Sequence, residues 1–307
     1  MPLLPGAELL GEAVSKGYAL GAFNISNLEN LQAAVRAAIE LKSPMFIGVT
    51  EGAAKYAGLE YLAGVAKLGV KEAGLPMALH LDHGQDLKVI EKAIKCGFTS
   101  VMIDASRLPL EENIEMTREV VKKAHPKGVS VEAELGRIGG REDDLSVSER
   151  EATMVVPQLA ARFVEETGID SLAPAVGTVH GAFKYKGEAH LDFERLKKVR
   201  ELTGLPLVLH GASGVPRDIV EMLTYYGGEV PGAKGLPDKE LKKAIPLGVA
   251  KVNIDTDLRL AFTAALRRVL IEEPEEFDPR KILGPARELM KEVVMRKMKV
   301  LGSAGRA

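Results

Sequence analysis

The segment Leu79-His80-Leu81-Asp82-His83-Gly84 closes an apolar run with an acid beside an imidazole. Strand side chains alternate between faces, so His80 and Asp82 share one face and His83 lies just past the strand's end. Two further His-Gly pairs, His180-Gly181 and His210-Gly211, also follow apolar runs. Three imidazoles from three strand ends make a donor set for zinc with a fourth position left open, as metal catalysis requires. Cys96 is the only cysteine, which excludes an internal disulfide and a thiolate zinc cluster. Histidine and carboxylate must supply the ligands, and a metalloenzyme is expected.

These residues need elements to carry them. Short apolar runs alternate with helical spacing along the whole chain. Strands are predicted at Ala19–Asn24, Met45–Val49, Met77–Leu81, Ser100–Asp104, Val129–Glu134, Ser171–Ala175, Leu207–His210 and Ala250–Ile254. Each is followed by helix-like sequence, such as Asn30–Leu41 and Lys88–Cys96, the signature of a (β/α)8 TIM barrel. Gly74-Leu-Pro76 and Gly204-Leu-Pro206 end helices and lead into strands. A doubly wound sheet is the alternative, but no dinucleotide fingerprint opens the chain. A single barrel domain is expected over residues 1–307, with 274–307 a C-terminal helical extension suited to packing on a neighbouring subunit. Gly136–Glu151 reads as a mobile loop over the barrel mouth, and Gly227–Gly235 as a second Gly- and Pro-rich excursion. Active sites in this fold gather at the C-terminal strand ends. That rim collects Asp82, His83, Asp104, Glu132, Glu134, His180, His210, Asn253, Asp255 and Thr256.

Bulk properties narrow the function classes. Hydrophobic residues are 46% and charged residues 27% of 307, with a net charge of −2, so nothing draws nucleic acid or anionic lipid to the whole molecule. An anionic substrate must be met by a local site. No apolar run nears the roughly 20 residues that span a bilayer, and Met1–Gly6 lacks a signal-peptide pattern. A cytoplasmic protein without membrane or nucleic-acid partners is expected. Scarce Asn and Gln and the absence of Trp fit a thermophilic host.

With these residues in view, the chain resembles a class II, metal-dependent fructose-bisphosphate aldolase of the shorter, class IIB-like branch. The matching motifs are LHLDHG at Leu79–Gly84, VEAELGRIGGRE at Val131–Glu142, GTVHG at Gly177–Gly181, LHGASG at Leu209–Gly214 and VNIDTD at Val252–Asp257. Each alone is weak, and all five in this order are specific. The resemblance implies that His83, His180 and His210 bind zinc, with Glu134 and Asp104 as alternate ligands or ligand supports, and that cobalt can substitute. It implies Asp82 as the acid/base for the C4 hydroxyl and Glu142 as the group that exchanges the C3 proton of dihydroxyacetone phosphate. Cleaving a C–C bond beside a ketone leaves an enediolate, whose charge a divalent ion stabilises as a Lewis acid. A lysine Schiff base is the other chemical solution; Lys251, inside the eighth strand, is its candidate, but that route leaves three histidines unexplained.

Substrate contacts follow from the same resemblance. Asn24, Thr50 (where relatives commonly carry Ser), Gly181, Lys184, Gly211, Ser213, Asn253, Asp255 and Thr256 are expected to bind the sugar phosphate. Glycine-turn amides and a helix N-terminus suit an anion. Asp255 is the form typical of fructose-bisphosphate aldolases, whereas relatives acting on tagatose bisphosphate tend to carry Ala there. Arg259 matches an arginine that reaches a neighbouring subunit's active site, so a homodimer or homotetramer is expected. Backbone carbonyls near Gly177–Gly181 and Gly211–Ser213 are candidates for an activating monovalent cation. The activity implied is aldol cleavage of fructose 1,6-bisphosphate in glycolysis and gluconeogenesis, with tagatose 1,6-bisphosphate as the alternative substrate.

Overall fold

Eight parallel strands close into a barrel in this computed structural model, which describes residues 3–142, 145–147, 153–180, 190–231 and 233–307; the side chains of 141, 142 and 145–147 lie outside the description. The barrel strands are β1 (Leu20–Asn24), β2 (Met45–Thr50), β3 (Met77–Gly84), β4 (Ser100–Ile103), β5 (Ser130–Leu135), β6 (Ser171–Pro174), β7 (Leu207–Leu209) and β8 (Val249–Ile254). Each pairs with its sequence neighbours, and β1 pairs with β8 to complete the circle. The predicted strands fall within a few residues of these. Both Gly74 and Gly204 adopt left-handed backbone as helix C-caps, with φ 64° and 68°, a conformation glycine reaches without a Cβ penalty.

Buried apolar side chains between the strands and the outer helices form the main core. A second, smaller cluster sits at the strands' N-terminal ends, where Leu9, Leu10 and Ala13 of helix Gly6–Lys16 meet Leu20, Ala22, Phe46 and Ala78. That helix plugs the bottom of the barrel and leaves the opposite end for chemistry. At the other terminus, helix Pro279–Leu301 closes its apolar face against helices Leu28–Leu41 and Thr256–Glu272 of its own chain. Met290, Val293, Val294, Met298 and Leu301 are buried there, so the expected surface for a neighbour is at least in part spent within the chain.

The stretch expected as a mobile loop is partly ordered into a ribbon. Strand Gly139–Glu142 pairs antiparallel with Leu145–Val147 and parallel with Val179–His180. Arg137 and Thr153 bridge at its base. Glycine permits the crossing, since a Cβ on Gly140 would overlap the backbone of His180. Its Gly-rich and then charged sequence lacks the alternation that marks a strand.

Candidate functional site

The register of β3 solves a geometric problem set by the sequence. Strict alternation would turn His83 away from Asp82. Pairing with β4 runs His80 to Ser100 and Leu81 to Val101, then Gly84 to Ile103, which leaves one extra residue on β3. This bulge, with His83 at φ 49°, sends both Asp82 and His83 inward; they are 0% and 5% exposed. The strand therefore runs through His83 instead of ending before it.

Three imidazoles converge at this end of the barrel. The ring centres of His83 and His210 are 4.5 Å apart, those of His83 and His180 5.2 Å, and those of His180 and His210 6.3 Å. His83 Nδ1 donates to Asp104 Oδ2 at 2.8 Å, which turns Nε2 toward the centre. His210 Nε2 donates to Glu132 Oε1 at 2.8 Å, which leaves Nδ1 facing inward. The two inward nitrogens meet at 2.8 Å. Lone pairs facing each other repel unless a cation or proton lies between them, so this donor set suits a metal ion. Potential ligand atoms of His83, Glu134 and His180, and of Asp82, His83 and His210, also cluster within 4.8 Å. The outer partners fix the tautomers of His83 and His210, as carboxylates behind metal-binding histidines do.

Burial and charge set the protonation states. Burial, reinforced by nearby His83, pushes the His210 imidazolium down and favours the neutral, ligating form. Burial pushes the Asp104 carboxyl up, but its hydrogen bond with His83, helped by Ser106, holds it below the usual carboxylate range. Burial likewise opposes ionisation of Glu132, and Lys251 followed by His210 overcomes it. Lys251 is fully buried, 2.7 Å from Glu132 Oε2, and its ammonium donates to His80 Nε2 at 3.0 Å. His80 Nδ1 in turn donates to Ser100 Oγ at 2.8 Å. Burial, then the Lys251 charge, drive His80 down to about 3. A lysine enclosed and ion-paired in this way is no Schiff-base nucleophile, so the network argues for the metal route.

Asp82 lies beside the histidines, gripped by two amides. Asn24 Nδ2 donates to Oδ2 at 2.9 Å and Asn253 Nδ2 to Oδ1 at 2.7 Å. The oxygens Asn24 Oδ1 and Asn253 Oδ1 are buried without a hydrogen-bond partner among the described residues. Gly48 on β2 makes room for the first amide, because a Cβ there would overlap Asn24 Oδ1.

Thr50 caps helix Glu51–Ala57 by accepting from Ala53 N at 3.1 Å. With Asn24, Asp255 and Arg259 it lines a cavity of about 310 Å³. Gly211, at φ 59°, lies where a Cβ would meet the Val179 backbone, and Ser213 is buried nearby. Thr256 begins a helix as expected. Arg259 forks onto Asp255 of its own chain, with Nε to Oδ1 at 2.9 Å and Nη2 to Oδ2 at 2.6 Å. Gly181 and Lys184 lie outside the described residues, as does the Glu142 side chain, whose backbone ends the ribbon strand. In the sequence Glu132 stands only among the rim residues and Lys251 only as a candidate nucleophile; neither shows its link to His210 or His80. The signal available was the Glu132-Ala-Glu134 alternation, which puts both carboxylates on one strand face. His125 is exposed and bonds Asp170 at 2.9 Å.

The family model described as fructose-bisphosphate aldolase class-II matches residues 5–306. Over 305 residues the chain is 52% identical to the fructose-bisphosphate aldolase of Helicobacter pylori strain J99, covering 99% of each. It is 50% identical over 305 residues to that of Thermus caldophilus, covering 99% of this chain and 100% of the relative. Among solved structures, the YdjI aldolase from Escherichia coli K12 aligns over 99% of both chains at 35% identity, with a TM-score of 0.81.

Proposed function

The chain belongs to the class II fructose-bisphosphate aldolase family, and from that premise we propose a zinc enzyme that reversibly cleaves fructose 1,6-bisphosphate into dihydroxyacetone phosphate and glyceraldehyde 3-phosphate. His83, His180 and His210 hold the zinc, with Glu134 as an alternate ligand and Asp104 as the group that orients His83. When bound, the metal supplies Lewis-acid stabilisation of negative charge developing on the substrate's oxygens. The meeting of His83 Nε2 and His210 Nδ1 at 2.8 Å, beside the amide-gripped Asp82, carries this reading.

Proton handling falls to the chain's carboxylates. Asp82 accepts the C4 hydroxyl proton as the C3–C4 bond breaks and returns it during condensation. Asn24 and Asn253 hold its oxygens in place, so little reorganisation accompanies the transfer. Glu142 exchanges the C3 proton of dihydroxyacetone phosphate; its place at the end of a strand paired beside His180 supports that role. The oxygens of Asn24 and Asn253 suit substrate hydroxyls. Gly181, Lys184, Gly211 and Ser213 receive one phosphate, and Thr50, Asp255 and Thr256 line the sugar. Arg259, leaving Asp255, reaches the distal phosphate in a neighbouring subunit of a homodimer or homotetramer.

Cobalt substitutes for zinc in this reading, and carbonyls near Gly177 and Gly211 take a monovalent cation. No helix among the described residues is long and apolar enough to cross a membrane. The test is cleavage of fructose and tagatose 1,6-bisphosphates side by side, before and after chelation, with zinc restored and residual metal counted. Fast fructose cleavage that is lost and regained with zinc supports the reading. Activity in verifiably metal-free protein refutes the metal role, and preferential tagatose cleavage refutes the substrate.

A further inference from the structure

The proposed mechanism leaves one buried charged cluster unused. Lys297, on helix Pro279–Leu301, is only 4% exposed, an uncommon burial for lysine. Its ammonium lies 2.8 Å from Asp238 Oδ1 and 3.6 Å from Asp257 Oδ2. Asp257 is wholly buried and directs its carboxylate at backbone. Oδ2 accepts from Gly214 N at 3.0 Å and Oδ1 from Val215 N at 2.7 Å.

Those two amides end the segment that leaves β7 through His210, Gly211 and Ser213. Val215 has φ 50°, a region a β-branched residue occupies only when its surroundings force it there. The Asp257 carboxylate is positioned to do so. From the other side, Leu236 N donates to Ser213 O at 3.0 Å. Lys297 also occupies the space a Cβ on Gly214 would need. The C-terminal helix thus reaches beneath the β7 loop with a single buried cation.

We propose that Asp257 and Lys297 are positioning residues for phosphate binding: Asp257 clamps residues 213–215, and Lys297 holds that carboxylate in place, so the Gly211–Ser213 turn keeps its shape for the substrate phosphate. The inference rests on assigning that turn to phosphate, as proposed above. Neither group touches substrate. Both act through backbone amides, beyond Ser213 and away from the nitrogens of His210.

The experiment compares Lys297→Met, Asp257→Asn and Asp238→Asn with the parent, all as zinc-loaded full chains. Asparagine offers one acceptor where two amides need one each. The readouts are calorimetric affinity for inorganic phosphate and for dihydroxyacetone phosphate, zinc affinity, and kcat and KM for fructose 1,6-bisphosphate. Lys297→Met and Asp257→Asn are expected to weaken both phosphate ligands and raise KM roughly tenfold, the effect of losing a charge-assisted hydrogen bond. Zinc affinity should stay within about twofold, and Asp257→Glu should recover part of the loss. A purely structural cluster would lower the melting temperature alone, so unchanged phosphate affinity in folded Lys297→Met overturns the proposal. If that variant fails to fold, Asp238→Asn decides, since it loosens Lys297 from its more exposed side; unchanged phosphate affinity there overturns the proposal equally. Ser213→Ala in the parent separates the two ideas. If it leaves phosphate affinity intact, the loop assignment fails; if it weakens binding while the Lys297 and Asp257 variants do not, only the clamp fails.

Discussion

Replacing Glu132 by glutamine keeps the side chain's shape and removes one acceptor, which makes it a sharp probe of the network behind His210. The carboxylate accepts from His210 Nε2 with one oxygen and from Lys251 with the other. A glutamine has one acceptor oxygen, so one contact must turn donor against donor. In either orientation Lys251 loses the charge of its counter-ion; if the oxygen stays with His210, the buried ammonium loses its acceptor there as well, at a cost of about 3–5 kcal/mol in stability. If it stays with Lys251, His210 must shift its proton to Nδ1, the nitrogen facing His83. Loss of such an outer partner typically weakens metal binding about 10–100-fold, or roughly 1.4–2.7 kcal/mol. The second is the smaller cost, so Glu132→Gln should fold, bind zinc about 10–100-fold more weakly, and lose activity at low zinc but less at high zinc. Competition against a chromophoric chelator gives the zinc affinity, and urea unfolding of metal-free protein gives the stability. The double replacement Glu132→Met with Lys251→Met should recover stability, as apolar substitutes for buried ion pairs often do, without recovering zinc affinity. Zinc affinity within about twofold of the parent in folded Glu132→Gln, with unfolding free energy unchanged within about 1 kcal/mol, would refute the reasoning.

Three further outcomes are expected. Asp82→Asn should cut kcat for fructose 1,6-bisphosphate by about 10²–10⁴ while zinc stoichiometry is retained; a mild loss in metal-replete protein would move the proton role elsewhere. Gly48→Ala should displace the Asn24 amide from Asp82, destabilising by about 1–3 kcal/mol and lowering kcat/KM, both measurable on one preparation. Burial pushes the Lys297 ammonium down, but Asp257 and Asp238 outweigh it, so its pKa sits above the ordinary 10.5. A raised folded pKa means its stabilisation is fully present below about pH 10.5 and fades as pH climbs through the folded value; unfolding curves of Lys297→Met should lack that alkaline component.

Much of the barrel is readable from the sequence because each strand is a short apolar run bounded by turn chemistry. Gly74-Leu-Pro76 and Gly204-Leu-Pro206 act locally, and local signals survive without an alignment. Residues meeting across the barrel are harder. Glu132 and His210 are 78 positions apart, and nothing in either neighbourhood states the pairing. Lys251 reads only as a candidate nucleophile inside a strand until closure brings His80 and Glu132 to it. The ribbon at Gly139–Glu142 escaped because its glycines serve close backbone approach to His180, a tertiary demand that mimics loop composition. The bulge in β3 is likewise invisible to an alternating pattern, which treats His83 as lying beyond the strand.

That bulge joins Asp82 and His83 by a single peptide unit on one strand. Their relative placement is set by covalent geometry and one left-handed residue, and only secondarily by side-chain packing. Thermal flexing of β3 moves the two groups together, so their separation is buffered against motions that shift β3 relative to β7 and β8. The same linkage makes the strand intolerant of length change. Deleting one residue from it would erase the bulge and turn one of the pair out of the barrel, whereas a comparable change in the β2–β3 connection would leave the pair's spacing untouched.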